Sequence, residues 1–149
     1  MVVQAVLLLL ILFGPATAAW LPEWPAGTFR VSSFLGTFLL IGGFVWMIAG
    51  AVQLAMARSL SALPRPRDAA TPVDTGAFAL VRHPMYCGGI WAVVGWGLAN
   101  QRMLVLGYAV VLAVFFDVKA SREERSLGEK FPGYADYRRR VRKLIPFVY

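Results

Sequence analysis

Between Arg30 and Arg58 the chain carries no charged residue. Wound as one helix, that run is about 40 Å long, more than the ~30 Å hydrocarbon thickness of a bilayer. A soluble core helix of a small domain is shorter and carries a polar face, because only one side of it meets the core. Three further apolar stretches accompany it, at residues 2–19, 84–99 and 103–118. With 58% of 149 residues hydrophobic, the sequence predicts an all-α integral membrane protein. The expected architecture is one membrane domain over residues 1–149 with about four transmembrane helices.

The first stretch (VVQAVLLLLILFGPATAA) has two readings. Ala16-Thr17-Ala18 resembles the small-residue cleavage site of a signal peptide, but no Lys or Arg precedes the apolar part, which favours a retained span. Trp20 to Arg30 (WLPEWPAGTFR) combines turn-forming Pro with Trp anchors of an interface. The 58–83 segment is the long polar connection, and its Pro-Arg-Pro-Arg run is incompatible with regular helix. Arg58, Arg65, Arg67 and Arg82 outnumber Asp68 and Asp74 there, which places the loop in the cytoplasm. Asn100-Gln101-Arg102 then turns 84–99 back into 103–118 as a helical hairpin, with Gly88, Gly89, Gly95, Gly97 and Gly107 allowing close helix approach. The cytoplasmic segment 119–149 is polar. It breaks at Phe131-Pro132-Gly133 and forms a short basic helix from about Tyr134 to Lys143.

The formal net charge is +7, and the cations concentrate after Lys119. A basic segment following a span is what the positive-inside rule expects, and it attracts anionic lipid headgroups. No recognition motif accompanies the charge, so nucleic acid is not an expected partner. One cysteine, Cys87, excludes an internal disulfide, and with a single histidine, His83, no clustered metal site is expected. Cys87 reads as packing rather than as a nucleophile. The Ala- and Gly-rich composition with a Pro-Arg-rich loop points to a bacterial inner membrane.

Three features carry possible chemistry. Arg82-His83-Pro84-Met85-Tyr86 opens the third span, with Pro at the favoured first helical position. His83 then lies by a helix N-terminus, which favours an anionic ligand; a plain capped interfacial helix explains the motif equally well. Gly95-Trp96-Gly97 is a Gly-x-Gly that helix packing also accounts for. Glu123-Glu124 follows the fourth span, where adjacent acids repel one another. Either they pair with Lys119, Arg122 and Arg125 at helical spacing, or they bind a cation.

The order of these features is more specific than any one of them. Arg-His-Pro-x-Tyr, a hairpin, Glu-Glu, then Tyr134-x-x-Tyr137, an Arg run and Ile145-Pro146-Phe147 resembles the isoprenylcysteine carboxyl methyltransferases and the related phospholipid N-methyltransferases. The likeness covers about residues 75–147. It implies a membrane enzyme transferring a methyl group from S-adenosylmethionine to a lipidic or hydrophobic small molecule, at a pocket facing the cytoplasm. By that resemblance, His83, Tyr86, Gly95, Gly97, Glu123, Glu124, Tyr134 and Tyr137 match positions that line the cofactor pocket. His83 is the candidate base, and Arg122 or Lys119 the residue that orients the acceptor. Pro132 and the short first half depart from the family pattern. A membrane reductase of the sterol-reductase type, using a reduced nicotinamide cofactor, and a non-catalytic membrane adaptor remain as alternatives. Oligomeric state and acceptor are not legible.

Overall fold

The computed structural model describes residues 2–61 and 73–149. The Pro-Arg-Pro-Arg run, with Arg65, Arg67 and Asp68, lies outside the described residues. The elements run α1 (Val2–Phe13), α2 (Phe29–Ser61), α3 (Ala77–Leu80), α4 (Pro84–Ala99), α5 (Met103–Lys130) and α6 (Tyr134–Arg140). Among the described residues there is no strand, only an isolated parallel bridge between Val81 and Arg142.

Local chemistry sets these boundaries. α1 is shorter than the 2–19 stretch, at 12 residues, because Gly14 closes the last turn onto the Leu10 carbonyl at 2.9 Å and Pro15 cannot continue the ladder. At about 18 Å it is too short to cross a bilayer alone. α5 runs unbroken to Lys130 because the first proline after Met103 is Pro132. α6 stops short of Lys143 because Val141 turns extended (φ −113, ψ 137). Its chain neighbours then pair with another segment. The turn between α4 and α5 uses a positive φ of 51 at Gln101, and Arg102 closes it by donating to the Gly97 carbonyl at 2.8 Å.

Among the described residues two helical segments, Phe29–Ala57 and Met103–Lys130, are long and apolar enough to cross a membrane. Exposed Phe34, Phe38, Ile41, Val45, Ile48 and Val52 follow one another along α2, and Val110, Val111, Val114 and Val118 do so on α5. Continuous exposed rows of large apolar side chains are too costly in water and suit hydrocarbon. The chain is a membrane protein.

The chain forms two compact units, Met1–Val45 with Gly88–Phe116, and Trp46–Cys87 with Asp117–Tyr149. In the first unit α2 and α4 meet through glycines. A Cβ at Gly36 would overlap the Ala99 backbone, one at Gly43 the Gly88 carbonyl and Ala92 backbone, and one at Gly95 the Leu40 amide and the Gly36 carbonyl. Ser33 adds a cross-helix hydrogen bond, its hydroxyl donating to the Ala99 carbonyl at 2.8 Å. The expected close approach is therefore met at Gly95. At Gly107 it is not, since open space lies beside that position. Gly95→Ala should cost about 1–3 kcal/mol by forcing two helix backbones apart, while Gly107→Ala leaves the denaturation midpoint within error. Equal midpoints for the two variants would disprove the glycine contact.

In the second unit α3 is held by Gln53 of α2, whose side-chain oxygen accepts from the Ala77 amide at 3.0 Å. Tyr134, Tyr137 and Val141 form a small core with Leu127 and Phe131. The extended segment after α6 returns to the entrance of α4. There the Arg82 amide donates to the Arg142 carbonyl at 2.8 Å and the His83 amide to the Lys143 carbonyl at 3.2 Å.

Candidate active site

Arg82 and His83 end the extended approach to α4, and Tyr86 sits on its first turn. Cys87, on the same turn, donates its amide to the His83 carbonyl at 3.0 Å, and its side chain is buried. From α5, beyond its apolar part and one turn after Lys119, come Glu123 and Glu124. These residues meet in the second unit.

The two acids have different surroundings. Glu124 is buried, with 4% of its side chain exposed, and its Oε1 takes a 2.8 Å hydrogen bond from Arg82 Nε and lies 3.2 Å from His83 Nε2. Arg138 Nε stands 3.5 Å from its other oxygen. Glu123 keeps 42% of its side chain exposed, lies 3.8 Å from His83 Nδ1 and accepts a 2.6 Å hydrogen bond from the Tyr86 hydroxyl. These partners come from α4, the segment before it, and α6.

Burial works to raise the Glu124 carboxyl, but hydrogen bonds from His83 and Arg82, with the Arg82 charge, reverse this and lower it from the ordinary 4.5 to about 2. A carboxyl lower in the folded than in the unfolded chain stabilises the fold fully above its unfolded value. That contribution is lost as pH falls through the folded value. The denaturation midpoint should therefore drop more steeply between pH 4.5 and about 2 in the wild type than in Glu124→Gln. Parallel profiles would rule this out.

An ionised carboxylate only accepts, so His83 Nε2 carries the hydrogen that faces Glu124, and Nδ1 lies on the side of Glu123. The His83 and Tyr86 rings lie parallel within 5° at 5.4 Å between centroids. Lys119 Nζ lies 5.1 Å from the centre of the Tyr86 ring.

Arg82, absent from the sequence-derived set of site residues, is the centre of this network. Besides Glu124, its guanidinium donates to the Arg138 carbonyl at 3.0 Å and to the Val141 carbonyl. Its position within the Arg-His-Pro motif was the available signal. Of the two residues expected to orient the acceptor, Arg122 is exposed on α5 and Lys119 stands over the Tyr86 ring. Tyr134 and Tyr137 are both buried to 3% and pack edge to face at 5.7 Å. The Tyr137 hydroxyl donates to the Phe78 carbonyl at 2.7 Å. Burial, followed by the charge of Glu124, raises the Tyr134 hydroxyl to about 12. Tyr137→Phe should cost about 1 kcal/mol by orphaning that carbonyl, and an unchanged midpoint would count against this bond. Gly95 and Gly97 belong to the first unit; Gly95 packs on α2 backbone, and a Cβ at Gly97 would meet the Leu106 side chain.

The family model described as 3-oxo-5-alpha-steroid 4-dehydrogenase matches residues 2–149. The chain belongs to that family. The same family model is shared by the isoprenylcysteine methyltransferases, so the resemblance read from the Arg-His-Pro and Glu-Glu motifs holds. Among curated relatives, the chain is 36% identical to the mouse protein-S-isoprenylcysteine O-methyltransferase over 54% of this chain and 29% of the relative. It is 37% identical to a methanethiol S-methyltransferase of Crocosphaera subtropica over 48% of this chain and 28% of that protein. A cobalt-zinc-cadmium resistance protein of Cupriavidus metallidurans is 30% identical over 51% of this chain and 36% of its own. The matches thus span about a third of the length of these relatives. No solved structure matches.

Proposed function

We propose that this chain is a multi-pass membrane methyltransferase that uses S-adenosylmethionine to methylate a small lipidic or hydrophobic acceptor from the cytoplasmic face. The observation that carries the reading is the asymmetry of the two acids. Arg82 and Arg138 both stand against the buried Glu124, whereas Glu123 keeps 42% of its side chain exposed beside His83 and accepts from the Tyr86 hydroxyl. Glu123 is therefore the carboxylate with capacity to receive the cofactor's ammonium group. The donor set fits a group that carries both a cation and a carboxylate, because cationic side chains stand close by.

When bound, S-adenosylmethionine supplies an electrophilic methyl group on sulfur. The residues of this chain then bind and orient. Tyr86 fixes Glu123 through its hydroxyl, and Glu124 fixes the imidazole through Nε2, so neither group has to reorganise during the displacement. An amine or thiol acceptor must lose a proton, and His83 Nδ1 is the ring nitrogen placed to take it. A carboxylate acceptor needs no base. Lys119, over the Tyr86 ring, is better situated than Arg122 to orient an acidic acceptor. Two curated relatives named as O- and S-methyltransferases support the reaction class. The bacterial inner membrane and a four-span topology are part of the same reading.

Calorimetric titration of S-adenosylmethionine and S-adenosylhomocysteine into detergent-purified protein tests it. Micromolar binding by the wild type is the expected result, and no binding by the intact protein refutes the reading. The printed description of the family favours one second reading, a membrane reductase with a reduced nicotinamide cofactor. Titration of that cofactor in competition separates the two.

A further inference from the structure

A cavity of about 450 Å³ opens on the second unit between the polar half of α5 and the segment that follows α6. Arg82, Arg125, Arg138, Arg142 and Lys143 bring positive charge to its walls, and Asp117 and Glu124 bring negative charge. His83, Tyr86 and Glu123 do not line it. Each acid is already engaged. Glu124 takes Arg82 at 2.8 Å and Arg138 at 3.5 Å. Asp117 takes Lys143 and a 3.0 Å hydrogen bond from the Tyr149 hydroxyl. Those pairings account for three of the five cations and leave Arg125 and Arg142, neither of which makes a side-chain hydrogen bond or ion pair among the described residues.

Two unpaired guanidiniums facing one concave space repel each other and focus a positive potential there. The positive-inside rule accounts for cations on this segment, but it gives no reason for them to line a cavity. Guanidinium forks match the oxygens of a phosphate and hold it in two hydrogen bonds each. The cavity lies along α5 just past the uncharged stretch that ends at Phe116, beginning with Asp117. That is the depth of a headgroup rather than of an acyl chain, and Val148 and Tyr149 supply an apolar rim.

We infer that this cavity is a binding site for a phosphate group, held by Arg125 and Arg142; it shares its Arg82 and Glu124 walls with the candidate active site, but His83, Tyr86 and Glu123 do not line it. An anionic phospholipid headgroup and a soluble phosphate are the two sources of that chemistry, and basic pockets at the cytoplasmic end of a span take headgroups of the first kind.

The experiment measures the denaturation midpoint of the detergent-purified full chain in two arms. One arm adds inorganic phosphate, with chloride at matched ionic strength as control. The other adds phosphatidylglycerol micelles, with phosphatidylcholine as control. Both are repeated with Arg125→Gln/Arg142→Gln, which alters two exposed side chains and should melt like the wild type without ligand. Stabilisation by phosphatidylglycerol alone, lost in the double variant, supports the inference and identifies a lipid. Stabilisation by inorganic phosphate, lost in the variant, supports it and identifies a soluble ligand. The affinity in the responding arm should fall at least about ten-fold in the variant. No stabilisation in either arm, or stabilisation that survives in the double variant, overturns it. If the variant melts lower without ligand, the single substitutions, read by phosphorus NMR line broadening of the same ligands, decide between the same outcomes.

Discussion

Arg82→Ala should destabilise the protein by about 3–5 kcal/mol, the cost of leaving one member of a buried ion pair without its partner. Glu124 keeps 4% of its side chain exposed and Arg82 9%, so water cannot replace the lost guanidinium. The substitution also orphans the Arg138 and Val141 carbonyls that the guanidinium bridges. Arg82→Lys keeps the charge but cannot fork across three acceptors, and should recover only part of the loss. The decisive measurement is a double-mutant cycle of denaturation midpoints with Glu124→Gln. The double variant should be less destabilised than the sum of the singles, because removing both charges relieves the unpaired one. Simple additivity, or a loss below about 1 kcal/mol for Arg82→Ala, would show that the network is a surface feature.

Glu123→Gln should act on a different property. Its carboxylate is half-exposed and contributes little to the fold, so the denaturation midpoint should stay close to the wild type. Losing a charge-assisted hydrogen bond costs about 1.5–3 kcal/mol, so S-adenosylmethionine should bind roughly 10- to 100-fold more weakly. Glu124→Gln should show the converse, a lowered midpoint with binding weakened in proportion to the misplacement of His83. Calorimetry and thermal denaturation on the same samples separate the two roles. Loss of binding in Glu124→Gln at full stability, with Glu123→Gln unaffected, would reverse the assignment.

The long helices were legible because charge-free runs leave few alternatives, as in α2. α1 was read too long since apolar character continues past Gly14, but Pro15 withdraws a donor that hydropathy does not register. The end of α5 was legible from Phe131-Pro132-Gly133, and the helix carries on through Asp117 because the change from apolar to charged residues there alters solvent and not backbone. The meeting of the Arg-His-Pro motif with Glu-Glu could be expected from the order of motifs. The split between the acids could not. Both look alike at helical spacing, and only partners distant in sequence, Arg82, His83 and Tyr86, make one a buried anchor and the other an exposed acceptor. Tyr134 and Tyr137 likewise carried a motif in the sequence, while their burial against Val141 makes them core.

The pairing of Arg82 and His83 with Arg142 and Lys143 also bears on how the protein is made. The contacts that define the site join residues 41, 42 and 59 positions apart. A chain emerging from the ribosome and entering a membrane can form α2 before Val141 exists. During that interval the Glu124 carboxylate waits without its full set of donors. Completion is therefore a late event, and quality-control proteases would meet a species inserted but unfinished on one face. Mutations in the last segment should raise turnover of newly made protein more than they shorten the lifetime of the mature form.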